Sequence, residues 1–131
     1  RSETNAAFLF ITHDLGTLKL ISNRIVVLYL GRIVESGATA TLFEMPRHPY
    51  TQALLSAHLP ADPSVKLQRQ ILQGEIPSPI NLPPGCGFAS RCPIAEPACR
   101  SQLPTLDSVA AGHAAACLRL SDTRTTHAAA S

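Results

Sequence analysis

Two groups of residues in this chain are of types that do chemistry. The first is the set of four cysteines, Cys86, Cys92, Cys99 and Cys117, spaced C-x₅-C-x₆-C-x₁₇-C and the only four in 131 residues. The second is His13, which follows the unbroken apolar run Ala6-Ala7-Phe8-Leu9-Phe10-Ile11. Thiolates are ligands for metals, and four of them in one proline-bracketed region admit several sites. A [4Fe–4S] cluster takes four thiolates and, being larger than one ion, tolerates wide gaps; Cys92-Pro93 also fits a cluster ligand followed by proline. Zinc is the runner-up, since structural zinc sites usually open with closer C-x₂₋₄-C pairs. Disulfides need an oxidising compartment. Four free thiols packed as small apolar groups stay open as well. His113, four residues before Cys117, is a substitute ligand or, more simply, an ordinary surface histidine.

Positioning these groups falls to the elements around them. Continuous rather than alternating hydrophobicity over Ala6–Ile11 predicts a strand buried on both faces, as in a parallel sheet. His13 then sits at the strand's C-terminal end, where open α/β sheets place ligand-contacting groups; a structural histidine between strand and helix is the plainer reading. Asp14 caps a helix over 14–22 that carries Leu15, Leu18 and Ile21. Arg24–Leu30 reads as a second strand, Gly31-Arg32 as a turn and Ile33–Glu35 as a third strand ended by Gly37. Thr39 or Thr41 starts a short helix with Leu42 and Phe43, stopped by Pro46. Pro49 opens a helix over 49–58. His48, at its start, caps or packs, and Tyr50 belongs to the core.

Beyond Pro60 the composition changes. Residues 67–72 read as a short strand. Gly74–Pro84, with four prolines, must be extended or turning, because proline removes a backbone donor and restricts the residue before it. A short helix over 94–102 and a strand over 113–120 follow, and 121–131 reads as a disordered tail. Arg91 and Arg100 flank the cysteines, either screening an anionic cluster or simply solvated. One α/β unit cannot bury a two-faced strand, so the neighbours of Phe8–Ile11 are expected from upstream sequence or another chain.

The totals exclude several classes. A net charge of +2 with singly scattered basic residues does not suit nucleic acid. No apolar run approaches the ~18–20 residues that span a membrane, and no basic stretch followed by an apolar one reads as a secretory signal. Carboxylate pairs, G-x-S-x-G and H-E-x-x-H patterns are absent, so hydrolytic readings built on them have no support. Apolar residues make up 45% of the chain but aromatics only 5%, and all eleven prolines follow Met45. A loop-rich second part makes a thin core and needs a cross-link.

Phe8-Leu9-Phe10-Ile11-Thr12-His13-Asp14-Leu15 resembles the switch segment of ATP-binding cassette (ABC) ATPases. Arg24–Gly37 resembles the hairpin that ends their nucleotide-binding domain. His48-Pro49-Tyr50-Thr51-Gln52-Ala53-Leu54-Leu55, Gly74-Glu75-Ile76-Pro77-Ser78 and Cys86–Pro93 are similar to signatures of the C-terminal extension of the oligopeptide and dipeptide importers. The resemblance implies the end of a P-loop nucleotide-binding domain over 1–45, then a small loop-rich α+β extension over 46–120 clamped by Cys86, Cys92, Cys99 and Cys117. It implies His13 as the switch histidine on the γ-phosphate of ATP, a role suited to an imidazole because phosphoryl transfer is mostly positioning and electrostatics. For the full-length protein it implies ATP and Mg, a second ATP-binding subunit, permease subunits, indirectly a substrate-binding protein, and a peripheral place at the cytoplasmic face of the membrane. It favours a [4Fe–4S] cluster over zinc at the cysteines.

A stand-alone metal- or cluster-binding interaction module is the alternative. No G-x-x-x-x-G-K-[ST] phosphate loop occurs in the chain. The 131-residue chain by itself is therefore expected to release no phosphate from ATP at steady state, and sustained turnover by the purified chain would overturn that expectation.

Overall fold

β-branched residues decide the first sheet contacts. In the computed structural model of the chain, which describes residues 6–58 and 74–121, Arg24–Tyr29 forms strand β1 and Arg32–Ala38 forms β2. The two are antiparallel, with Arg24 opposite Ala38 and Tyr29 opposite Arg32. Their turn is Leu30-Gly31 rather than Gly31-Arg32, with both residues at positive φ, 48° and 75°. Two left-handed residues give the turn whose twist matches a tight hairpin. β2 also runs past Gly37 to Ala38. Along β1, Ile25, Val27 and Tyr29 face inward while Val26 and Leu28 face out.

Asp14 caps helix α1, Leu15–Ile21, as its sequence position predicts. Its Oδ1 accepts from the N–H groups of Gly16 at 3.0 Å and Thr17 at 3.4 Å. Thr39–Glu44 forms α2 and Pro49–His58 forms α3. Later in the chain come α4, Pro97–Ser101, and strands β3, Asp107–Ala110, and β4, His113–Ala115. The sheet order is β1-β2-β4-β3, antiparallel throughout. Strands from both sides of Met45 thus share one sheet.

Several expectations change. Residues 6–12 form neither strand nor helix, and Leu9 and Ile11 are 89% and 94% exposed. A strand needs a hydrogen-bonding neighbour, and none of the described strands pairs with this run. The helix over 94–102 contracts to α4, because Pro97 suits the first turn of a helix and not its interior. The strand over 113–120 stops at Ala115, and β3 escaped the pattern because only Val109 in it is even half-buried. The strand predicted over 67–72 lies outside the described residues, as does the tail beyond Ser121.

The core gathers Leu15, Ile25, Val27, Tyr29, Val34, Leu42, Leu55 and Phe88. Val34 is the extra residue of a bulge, since Val27 faces Glu35 while Leu28 faces Ile33. A bulge disturbs strict alternation, so Val34 and Glu35 are buried in succession. Glu35 is 0% exposed. Its Oε1 accepts from Arg47 N–H at 2.7 Å and its Oε2 from His48 N–H at 2.8 Å. His113 Nε2 lies 2.7 Å from Oε1. A buried carboxylate is tolerated only when so satisfied. His113, expected at the surface, is 2% exposed for this reason. Its ring crosses β2 at Gly37, where an added Cβ would stand 3.2 Å from His113 Cδ2.

His48 is the N-cap of α3. Its Nδ1 accepts from Tyr50 N–H at 3.1 Å, with Pro49 at the first helical position. Accepting there requires a neutral ring, and burial pushes the pKa from 6.5 down to about 4. The unfolded chain therefore binds a proton near pH 6.5 that the fold refuses. The contribution to stability is fully present above about pH 6.5 and is lost as pH falls through about 4. It amounts to about 3 kcal/mol. Denaturant titrations between neutral pH and pH 4 should record that loss. His48→Asn, whose side-chain oxygen keeps the cap without titrating, should flatten the slope; an unchanged slope would refute the assignment to His48.

Candidate functional site

The cysteine loop is built on close backbone approach. At Gly85 an added Cβ would stand 2.4 Å from Cys99 O and 2.5 Å from the Arg100 carbonyl carbon, so only glycine fits. One residue on, Cys86 N–H donates to Cys99 O at 2.8 Å. Phe88 then turns inward and is 1% exposed. Its ring centroid lies 5.4 Å from Tyr29, nearly edge-on at 86°, 5.5 Å from Tyr50 and 5.8 Å from His48. Tyr29 and Tyr50 are 4.6 Å apart. Edge-to-face and tilted aromatic pairs add to the area they bury. One side chain of the cysteine loop thus packs on β1 and on the start of α3 together.

Short turns carry the loop onward. Ala89 N–H donates to Cys86 O, Arg91 N–H to Phe88 O and Ala95 N–H to Cys92 O. Cys99 lies in α4 and is buried. Cys117 follows β4 by two residues, and its Sγ accepts from Arg119 N–H at 3.3 Å. Arg119 is ion-paired with Glu96 at the start of α4, which draws the end of the chain's sheet towards Cys99.

All four cysteines are free thiols, and they sense one another. Burial pushes the Cys117 thiol up to about 11; the Arg119 N–H pulls it back, and Cys92, Cys86 and Cys99 each push it further up. Burial likewise raises Cys92, opposed by the Ile94 N–H and reinforced by Cys86 and Cys99. Cys86 is raised by burial, opposed by the Phe88 and Ala89 N–H groups and reinforced by Cys99. Of the four, Cys86 and Cys99 are tied directly, by the backbone bond between them. Among the described residues no group of three or more His, Cys, Asp or Glu side chains is arranged to hold a metal ion. A thiol so raised is a poor nucleophile at neutral pH.

His13 stands apart from this cluster. It is exposed, in a bend just before α1. It lines a groove of about 1110 Å³ with Phe8, Phe10, Leu15, Val26 and Leu54. Asp14 beside it is committed to the helix cap, its Oδ2 also accepting from Thr17 Oγ1. Among the described residues the four thiols influence one another's charge but form no metal-holding group, and His13 and its apolar run are left open. Glu35 and His113, which the motifs passed over, join the two parts of the chain. The signal was an acid inside the otherwise apolar run Ile33-Val34-Glu35. Among the described residues no helix is long and apolar enough to cross a membrane.

Comparison with known proteins agrees with the order of these motifs. The C-terminal region of oligopeptide/dipeptide transporters matches residues 34–99, about half of the chain. A peptide import ATP-binding protein of Brucella ovis is 51% identical over 111 residues, 85% of this chain and 35% of the relative. The oligopeptide transport ATP-binding protein AppF of Bacillus subtilis is 46% identical over 120 residues, 89% of this chain and 36% of the relative. A peptide ABC transporter ATP-binding protein of Sinorhizobium fredii is 45% identical over 117 residues, 89% and 33% respectively. The chain spans about a third of the length of these relatives. The family match takes in Glu35, the His-Pro-Tyr turn and the first three cysteines. On this match, the chain belongs to the family of oligopeptide/dipeptide transporter C-terminal regions.

Proposed function

We propose that this chain is the C-terminal part of the ATP-binding subunit that energises peptide import by an ABC transporter. The observation that carries the reading is its similarity, over 85–89% of its length, to ATP-binding proteins of peptide import in three bacteria. Residues 1–45 are then the end of the nucleotide-binding domain and 46–120 the subfamily's extension. The full-length protein binds ATP and Mg, pairs with a second ATP-binding subunit and drives permease subunits from the cytoplasmic face of the membrane. The open apolar run Phe8–Ile11 and the outward face of β1 support this over a stand-alone module. They are the surface against which the rest of a nucleotide-binding domain packs.

His13 is proposed as the γ-phosphate contact. The support is its exposure at the end of that run, with the neighbouring carboxylate already occupied by the cap. Its imidazole donates to the transferred phosphoryl group and holds the attacking water in line; Asp14 takes no part. In the full-length protein His13→Ala should lower kcat about a hundredfold or more while nucleotide affinity, read by equilibrium binding, changes little. Undiminished turnover would remove His13 from the chemistry.

The four thiols are proposed as ligands of a [4Fe–4S] cluster, with zinc as the competing occupant. The support is the donor chemistry: four thiols of one region influence one another's charge, and the sulfurs of Cys86, Cys92 and Cys117 face backbone N–H groups. Hydrogen bonds to sulfur are a recognised means of stabilising such clusters. Mutual charge repulsion among thiolates is relieved by a cationic centre. The group, when bound, supplies a four-way cross-link to a part of the chain with a thin core. Anaerobically purified protein should be brown and contain iron and sulfide, and Cys92→Ser should lower both together with the melting temperature. Colourless protein with stoichiometric zinc replaces the cluster by zinc. Protein with neither, or a Cys92→Ser variant of unchanged melting, sinks the cross-link.

A further inference from the structure

β4 is three residues long and meets β2 at only two paired positions, Glu35 opposite Ala115 and Ser36 opposite Ala114. So short a ladder specifies its own register weakly. The backbone bond from Ala116 N–H to Val34 O, 2.8 Å long, can be replaced by an equivalent one after a slip of two residues. A one-residue slip turns every side chain to the opposite face. Either slip carries the sulfur of Cys117, two residues past β4, away from the other three thiols.

One side-chain contact is specific to the observed register. His113 Nε2 lies 2.7 Å from Glu35 Oε1, both groups buried. Glu35 is itself immobilised, because Arg47 and His48 N–H groups hold its two oxygens from the other side. The ring lies close over Gly37, where an added Cβ would stand 3.2 Å from Cδ2 and press on it. Arg24 also touches the β3–β4 turn, through Nη1 to Gly112 O at 3.2 Å, but at an exposed position. We propose that Glu35 and His113 are positioning residues for the thiol quartet. Their buried pair sets the register of β4 on β2, and so places Cys117 beside Cys86, Cys92 and Cys99. The proposal rests on reading the four thiols as one site, and is indifferent to what that site holds.

Metal-free protein tests it through the rate at which iodoacetamide alkylates each cysteine, resolved peptide by peptide. Cys117 should be slow in the natural chain, being half-buried with its thiol pushed up by that burial. His113→Phe fills the space without a donor, and should speed Cys117 about tenfold or more. Cys86 and Cys99, held by their own backbone bond, should keep their rates. His113→Gln, which returns an N–H donor at similar reach, should restore slow alkylation of Cys117. Should His113→Phe fail to fold by circular dichroism, Gly37→Ala presses on the same ring more gently and is expected to act the same way. An unchanged Cys117 rate in the folded variant would overturn the proposal. So would equal acceleration of all four cysteines, or no recovery in His113→Gln. Iron, sulfide and zinc contents of the natural chain are read separately: their absence sinks the cluster reading and leaves the contrast in alkylation rates intact.

Discussion

A carboxylate with no access to water must find its donors inside the protein. Glu35 finds three, from two distant parts of the chain. Two are backbone N–H groups at the entrance to α3, and one is an imidazole on a strand nearly eighty residues later. Loss of any of them leaves a buried polar group unsatisfied, a penalty of about 1–3 kcal/mol or more when the group is charged. Breaking a buried pair by removing one partner is correspondingly severe. The hairpin β1–β2, the His-Pro-Tyr turn and β4 are therefore mutually dependent. The region cannot rearrange at one of these places without disturbing the other two.

Hydrophobic packing repeats the same connection by a second route. Phe88 is the largest of the fully buried side chains. It belongs to the cysteine loop, yet its contacts are Tyr29 on β1 and His48 and Tyr50 at the start of α3. Gly85 lets that loop lie directly on the backbone of α4. With few aromatics in the chain, three of them spent in one cluster form much of what holds the later segment to the earlier one. Cys99 is buried, while Cys86, Cys92 and Cys117 are only partly shielded from water.

The sequence marked some of this with little ambiguity. Asp14 as a cap, Pro49 at the first turn of α3 and the β-branched strands on either side of Gly31 depend on interactions within a few residues, and local chemistry is visible in local sequence. The unbroken apolar run over 6–11 was legible as a surface to be buried. That its neighbours lie elsewhere was legible too, because one α/β unit cannot cover both faces of a strand; that it forms no strand without them was not. His113 read as a substitute ligand beside Cys117 or an ordinary surface histidine. Its burial depends on Glu35, seventy-eight residues away, and on a glycine that leaves room for the ring. The bulge at Val34 hid Glu35 by breaking the alternation through which an inward residue is usually recognised.

What the sequence by itself determined is the identity and order of the parts: the apolar run ending in His13, the hairpin, the His-Pro-Tyr turn and the four cysteines. These rest on side-chain type and near-neighbour spacing, which the chain carries wherever it is placed. Only the tertiary structure decided which parts meet. It joined β4 to β2, carried Cys117 to the other thiols and turned Phe88 into the core, while leaving Phe8–Ile11 open. The reason is that such contacts depend on register, on burial and on the close approach of one backbone to another, none of which has a period or a composition to reveal it.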